Sequence, residues 1–170
     1  MNFKKYIRDI NDFPKKGIVY KDISPLLGNS EAMKAAADAL VENIKDQKID
    51  KVVGIESRGF FMATLLAERL GAGFVPIRKP GKLPYKTFTE SYDLEYGTDQ
   101  LEIHQDAILP GERVILHDDV LATGGTAEAA VKLIKKLGGE LIESNFLIEL
   151  EFLKGREKIK TSPVQSLMKF

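Results

Sequence analysis

The spacing of apolar residues changes several times along the chain, and each change predicts an element. Asn29 or Ser30 makes a good helix cap, and EAMKAAADALVENIKDQ then sets Met33, Ala36, Ala37, Leu40, Val41 and Ile44 on one face at helical spacing. KVVGI (51–55) is a short continuous apolar run, the signature of a buried strand. GFFMATLLAERL (59–70) reads as a mostly apolar helix closed by Gly71. GFVPI (73–77), RVILH (113–117) and ELIESNFLIEL (140–150) are further strands, and TAEAAVKLIKKLG (126–138) is a helix ending at Gly138. The N-terminal segment reads as a short amphipathic helix ending near Asn11, followed by a Pro- and Gly-punctuated loop through Pro25. From Arg78 to about Tyr92 the chain is too polar for core and too long for a simple connector, and beyond it LEYG (94–97) and LEIH (101–104) suggest a hairpin.

Strands alternating with helices imply βαβ units, hence a mainly parallel twisted sheet with helices on both faces. No internal repeat, low-complexity tract or linker divides residues 1–170, which reads as a single domain of a length that buries a proper core. Sheets of this kind bind ligands beyond the carboxyl ends of their strands, and Asp118 and Asp119 stand at one such end.

Composition narrows the class. Hydrophobic residues at 44% and charged residues at 29% fit a globular chain, not a disordered one. Lys and Arg total 25, as do Asp and Glu, so no net field draws the chain to nucleic acid or membrane. The charge is locally sorted, with Arg78, Lys79, Lys82 and Lys86 crowding one loop. With no cysteine there is neither a disulfide framework nor a thiolate zinc site. MNFKKYIRDI lacks the continuous apolar core of a signal peptide, and no run approaches the ~20 residues that span a bilayer. A cytoplasmic location is expected.

The chemistry concentrates in VILHDDVLATGGT (114–126). After the strand, Gly124 and Gly125 permit a tight turn and leave backbone N–H groups uncovered at the start of a helix. Those donors, together with Ala122 and the Thr123 and Thr126 hydroxyls, suit a phosphate monoester. Asp118 and Asp119 would repel that phosphate; they suit neutral hydroxyl donors, of which a ribose offers two side by side. Acids beside such a turn therefore describe a ribose 5-phosphate. The competing view is a solvated strand end and a plain helix cap. Neither GxGxxG nor GxxxxGK[ST] is present, and no Asp follows Asp119, so dinucleotide, Walker and phosphoacceptor readings lack their parts.

An apolar strand, Asp-Asp and ATGGT resemble the phosphoribosyl diphosphate signature of type I phosphoribosyltransferases. GIVYKDISPLL (17–27), IESRGFF (55–61), IRKPGKLP (77–84) with ESYDLEYG (90–97), and IELEFLKGREK (148–158) narrow the resemblance to the adenine phosphoribosyltransferases, in order and over nearly the whole chain. The resemblance implies the type I phosphoribosyltransferase fold with a small hood and a flexible loop. It also implies the conversion of adenine and phosphoribosyl diphosphate to AMP and pyrophosphate in purine salvage, with Mg²⁺ carried by substrate and water. Alternatives are transfer to another base, or a regulator that senses the diphosphate without catalysis and would need a nucleic-acid-binding region.

The resemblance further assigns roles. Pyrophosphate is expected on Ser57, Arg58 and Gly59, with a cis Glu56–Ser57 peptide, and on Lys79 and Lys82. Lys82 is expected to reach across a homodimer, and the 82–90 loop to act as a lid that excludes water. Glu95 is the expected proton carrier for the base, with Tyr96 closing over the site. Val19 is expected to read the adenine edge through its backbone, and Tyr20 and Leu150 to sandwich the ring. Lys21 stands where the family often has arginine, so a bidentate contact there is in doubt. His117 departs from the usual apolar residue and reads as an incidental strand residue.

Overall fold

The computed structural model describes residues 1–93 and 98–170. A 3-10 turn, Phe3–Tyr6, leads into β1 (Arg8–Asn11), which pairs antiparallel with β2 (Val19–Asp22). The expected N-terminal helix is therefore a turn and a strand. Cross-strand charge sets this pairing. Arg8 lies opposite Asp22 and Asp9 opposite Lys21, with ion pairs at 3.1 and 2.8 Å. Partners so distant in sequence leave no trace in local periodicity.

A short helix α1 (Ser24–Leu27) precedes α2 (Ser30–Val41), which Asn29 caps by accepting the Ala32 N–H at 2.9 Å. α2 stops at Val41, earlier than periodicity suggests; 3-10-type bonds from Ile44 to Val41 and Gln47 to Ile44 carry the chain onward. Then follow β3 (Lys51–Ile55), α3 (Gly59–Leu70), β4 (Gly73–Ile77), β5 (Thr87–Asp93), β6 (Thr98–His104), β7 (Arg113–Leu121), α4 (Gly125–Lys136), β8 (Glu140–Glu149) and β9 (Val164–Lys169). The first strand of the hairpin is β5, so Thr87–Asp93 is strand where half of the expected loop lay. Phe88 and Tyr92 lie on its inward face at period two, masked in the sequence by the Thr, Glu and Ser between them. LEYG lies outside the described residues.

Five parallel strands form the sheet in the order β4-β3-β7-β8-β9. Leu116 and Phe146 face the layer of α4 and the β5–β6 hairpin, while Ile115 and Leu147 face the layer of α2 and α3. Full burial of each such side chain contributes roughly 1.5–3 kcal/mol. β3 connects outward through α3 to β4, and β7 connects the opposite way through α4 to β8. The chain thus reverses direction between β3 and β7, and this switch point opens a crevice beyond their carboxyl ends.

Candidate active site

β7 continues through the acids: Asp118 pairs with Phe146 and Val120 with Ile148, so both acids lie within the strand. Asp119 is only 4% exposed, and its backbone N–H donates to Asp118 Oδ1 at 2.9 Å. Burial, and then the neighbouring Asp119 charge, push the Asp118 carboxyl well up. Burial also raises Asp119, against the pull of Arg58. Arg58 Nε lies 2.9 Å from Asp119 Oδ2, but its N–H is not aimed at that oxygen, which keeps an unfilled acceptor position among the described residues. A buried carboxylate with a vacant acceptor is matched by a hydroxyl donor.

Beyond Leu121 the chain turns through Ala122–Thr123–Gly124, where Gly124 holds φ 82, and α4 begins at Gly125 with no side-chain cap. Among the described residues no protein acceptor takes the N–H groups of Thr123, Gly124, Gly125 or Thr126. Uncapped donors at the positive end of a helix attract an anion. A recess of about 60 Å³ opens within this turn, walled by Asp118, Ala122, Thr123, Gly124 and Thr126.

The facing turn follows β3. The Glu56–Ser57 peptide is cis. Gly59 starts α3 so close to β7 that a Cβ there would stand 2.8 Å from Asp118 Oδ1 and 3.1 Å from the His117 carbonyl. Glu56 accepts the Lys79 N–H at 2.8 Å and Arg78 Nε at 3.1 Å. Burial pushes the Glu56 carboxyl up, but these two donors outweigh it and hold it below its ordinary value. Lys79 Nζ is ion-paired with Asp99 and 3.1 Å from the Tyr92 hydroxyl. Between the turns lies a cavity of about 430 Å³ whose walls include Ser57, Arg58, Lys79, Asp118, Asp119 and Thr126. Lys82 is exposed and stands outside those walls.

A second cavity, of about 920 Å³, reaches from Thr123 to Val19, Lys21, Leu150 and Phe170. Lys21 Nζ is 2.8 Å from Asp9 and 4.3 Å above the Phe170 ring, so it is held to the wall. Tyr20 points elsewhere: its hydroxyl accepts from Arg58, its ring lies under that guanidinium, and Phe13 packs edge-on against it at 5.2 Å. Glu95 and Tyr96 lie outside the described residues. Sequence reasoning passed over Glu56, Asp99 and Phe170. Only the hairpin register, which sets Tyr92 opposite Asp99, could have brought Asp99 near Lys79.

The arrangement has close counterparts. The family described as phosphoribosyl transferase domain matches residues 26–167. An adenine phosphoribosyltransferase of Christiangramia forsetii is 64% identical over 170 residues, covering 100% of this chain and 99% of its own. The crystal structure of adenine phosphoribosyltransferase from Rhodothermus marinus superposes with a TM-score of 0.95 at 54% identity, covering 99% of this chain and 96% of that one. The Saccharomyces cerevisiae enzyme, crystallised with an imino-altritol bisphosphate and adenine, superposes with a TM-score of 0.92 at 44% identity, covering 97% and 96%. A crevice at the switch point, two facing turns and an adjacent acid pair thus occur in a chain that belongs to the phosphoribosyltransferase family and, within it, to the adenine phosphoribosyltransferases.

Proposed function

We propose that this crevice transfers the 5-phosphoribosyl group from phosphoribosyl diphosphate to adenine, releasing pyrophosphate and forming AMP. What carries the reading is the meeting, across the Asp118–Asp119 pair, of two turns rich in anion donors. The turn at 122–126 takes the 5-phosphate, and the two carboxylates accept the ribose hydroxyls. Ser57, Arg58, Gly59 and Lys79 take the diphosphate, with Lys82 delivered from the neighbouring subunit of a homodimer. As the bond from C1 to the diphosphate oxygen breaks, the sugar gains oxocarbenium character and the leaving group gains charge. The base nitrogen bonds to C1 and loses its proton to Glu95.

Val19, Lys21 and Leu150 bound the cavity proposed for adenine, and Tyr20 joins them only if its ring leaves Arg58. When bound with the diphosphate, Mg²⁺ would supply charge neutralisation to the leaving group beside Arg58 and Lys79. Such an ion would be carried on the diphosphate oxygens and water, with Asp118 and Asp119 the acids nearest to it. Among the described residues no helix is long and apolar enough to cross a membrane.

The test is pyrophosphate release with adenine, hypoxanthine, guanine and orotate in parallel, with and without Mg²⁺. Turnover with adenine and Mg²⁺ alone is expected. Equal turnover with hypoxanthine would overturn the assignment of the base.

A further inference from the structure

The segment after β8 supplies no reacting group to the chemistry above, yet it walls the larger cavity and abuts the turn at 122–126. Two 3-10 turns, Glu151–Leu153 and Gly155–Lys158, are joined at Lys154, whose φ of 52 is left-handed. Leu150, Phe152 and Leu153 wall the larger cavity. Gly155 then runs backbone-to-backbone against the phosphate turn. A Cβ on Gly155 would overlap the Ala122 carbonyl oxygen and stand 2.9 Å from Gly124 N, and one on Gly124 would overlap the Gly155 carbonyl oxygen. Neither chain has room for a methyl group, and the obstructing atoms are backbone, which yields only if the turn itself shifts.

Arg156 fixes this contact. Its Nε and Nη2 donate to the two Glu149 oxygens at 3.0 and 2.6 Å, and its Nη1 donates to the Val164 carbonyl at 2.5 Å. Ser166 Oγ donates to Glu149 Oε2 at 2.7 Å. Glu149 is 5% exposed and sits opposite Leu121, the residue from which the phosphate turn departs. The clamp and the turn therefore share one rung of the sheet.

We propose that Gly155, held by the Arg156–Glu149 fork, is a positioning residue: its backbone is the stop against which Ala122–Gly124 is set, so that the turn's amides face a phosphate monoester before it arrives. This rests on the reading of 122–126 as the 5-phosphate site. The fork geometry is particular to arginine, because lysine supplies a single point charge.

Ribose 5-phosphate and, separately, pyrophosphate with Mg²⁺ are titrated calorimetrically into the wild type, Gly155→Ala, Arg156→Lys and Thr126→Val. Displacing the turn by about 1 Å should weaken ribose 5-phosphate roughly ten- to hundredfold in Gly155→Ala, and less in Arg156→Lys. Pyrophosphate, held at the other turn, should stay within about twofold. A merely structural defect would weaken both ligands together, and that result, or no loss for ribose 5-phosphate, overturns the proposal. If Gly155→Ala does not fold, Arg156→Lys decides by the same split. If Thr126→Val binds ribose 5-phosphate like the wild type, the phosphate assignment itself falls. If Thr126→Val weakens it and the other two variants do not, only the positioning role falls.

Discussion

Replacing His117 with glutamine isolates a pH dependence built into the sheet beneath the acids. His117 is fully buried, and its Nδ1 lies 2.6 Å from Asn145 Oδ1. Asn145 Nδ2 faces Glu143 Oε1 at 3.4 Å, which turns the amide oxygen toward the ring and requires Nδ1 to carry the proton. Nε2 has no hydrogen-bond partner among the described residues, so nothing there stabilises a second proton. Burial, opposed in part by Asn145, lowers the ring from 6.5 to about 4. The unfolded chain thus takes up its proton near the ordinary value, and the folded chain only far below it. This stability is complete above the unfolded value and is lost as pH falls from 6.5 toward 4. At about 1.4 kcal/mol per pH unit, the whole window corresponds to roughly 3 kcal/mol, and about 2 kcal/mol has gone by about pH 5. Urea unfolding at about pH 7 and pH 5 measures it: the wild type should lose about 2 kcal/mol more than His117→Gln. Glu143, which burial raises, acts with the opposite sign, as do Asp118 and Asp119. These groups are present in both proteins and largely cancel in the difference. Parallel stability profiles, within about 0.5 kcal/mol, would refute the neutral buried ring.

The acid pair should show a trade of stability against function. Burial raises Asp119, which penalises the fold at neutral pH and relieves it as pH falls through the raised value. Asp119→Asn is therefore expected to raise the melting temperature while lowering kcat/KM about a hundredfold or more; a lower melting temperature would count against the burial argument. Glu95→Gln should lower kcat strongly and leave phosphoribosyl diphosphate binding nearly intact, and an unchanged kcat with chemistry rate-limiting removes its role. Chelation of Mg²⁺ should abolish turnover reversibly without shifting the melting temperature, since among the described residues no protein cluster holds the ion. Sedimentation should show a dimer, and a fully active monomer would end the proposed role of Lys82 across the interface.

Continuous apolar runs were legible as the buried strands β3, β4, β7 and β8, because a strand covered on both faces needs no alternation to declare itself. β9 escaped: VQSLMK has weak alternation and a single buried residue, Met168, so its place is set by β8 and not by its own pattern. β1 and β2 escaped because opposite charges define their register, and complementarity across a long loop has no period.

The crevice divides along the same line. Asp118, Asp119 and the glycine turn are contiguous, so their chemistry is visible as adjacency. Arg58 is the contrary case. Read locally it is a solvated residue after a strand, but folding sets its guanidinium over the Tyr20 ring and beside Asp119. One planar cation thereby joins β2, the turn after β3 and the acids of β7, and lysine could supply the charge but not the stacking plane. Which residue partners a buried carboxylate depends on the order of strands in the sheet. Here β3 and β7 are adjacent although an α/β unit and a hairpin separate them in sequence. The identity of the acids is thus a local property of the chain, whereas the field they sit in is a property of the topology.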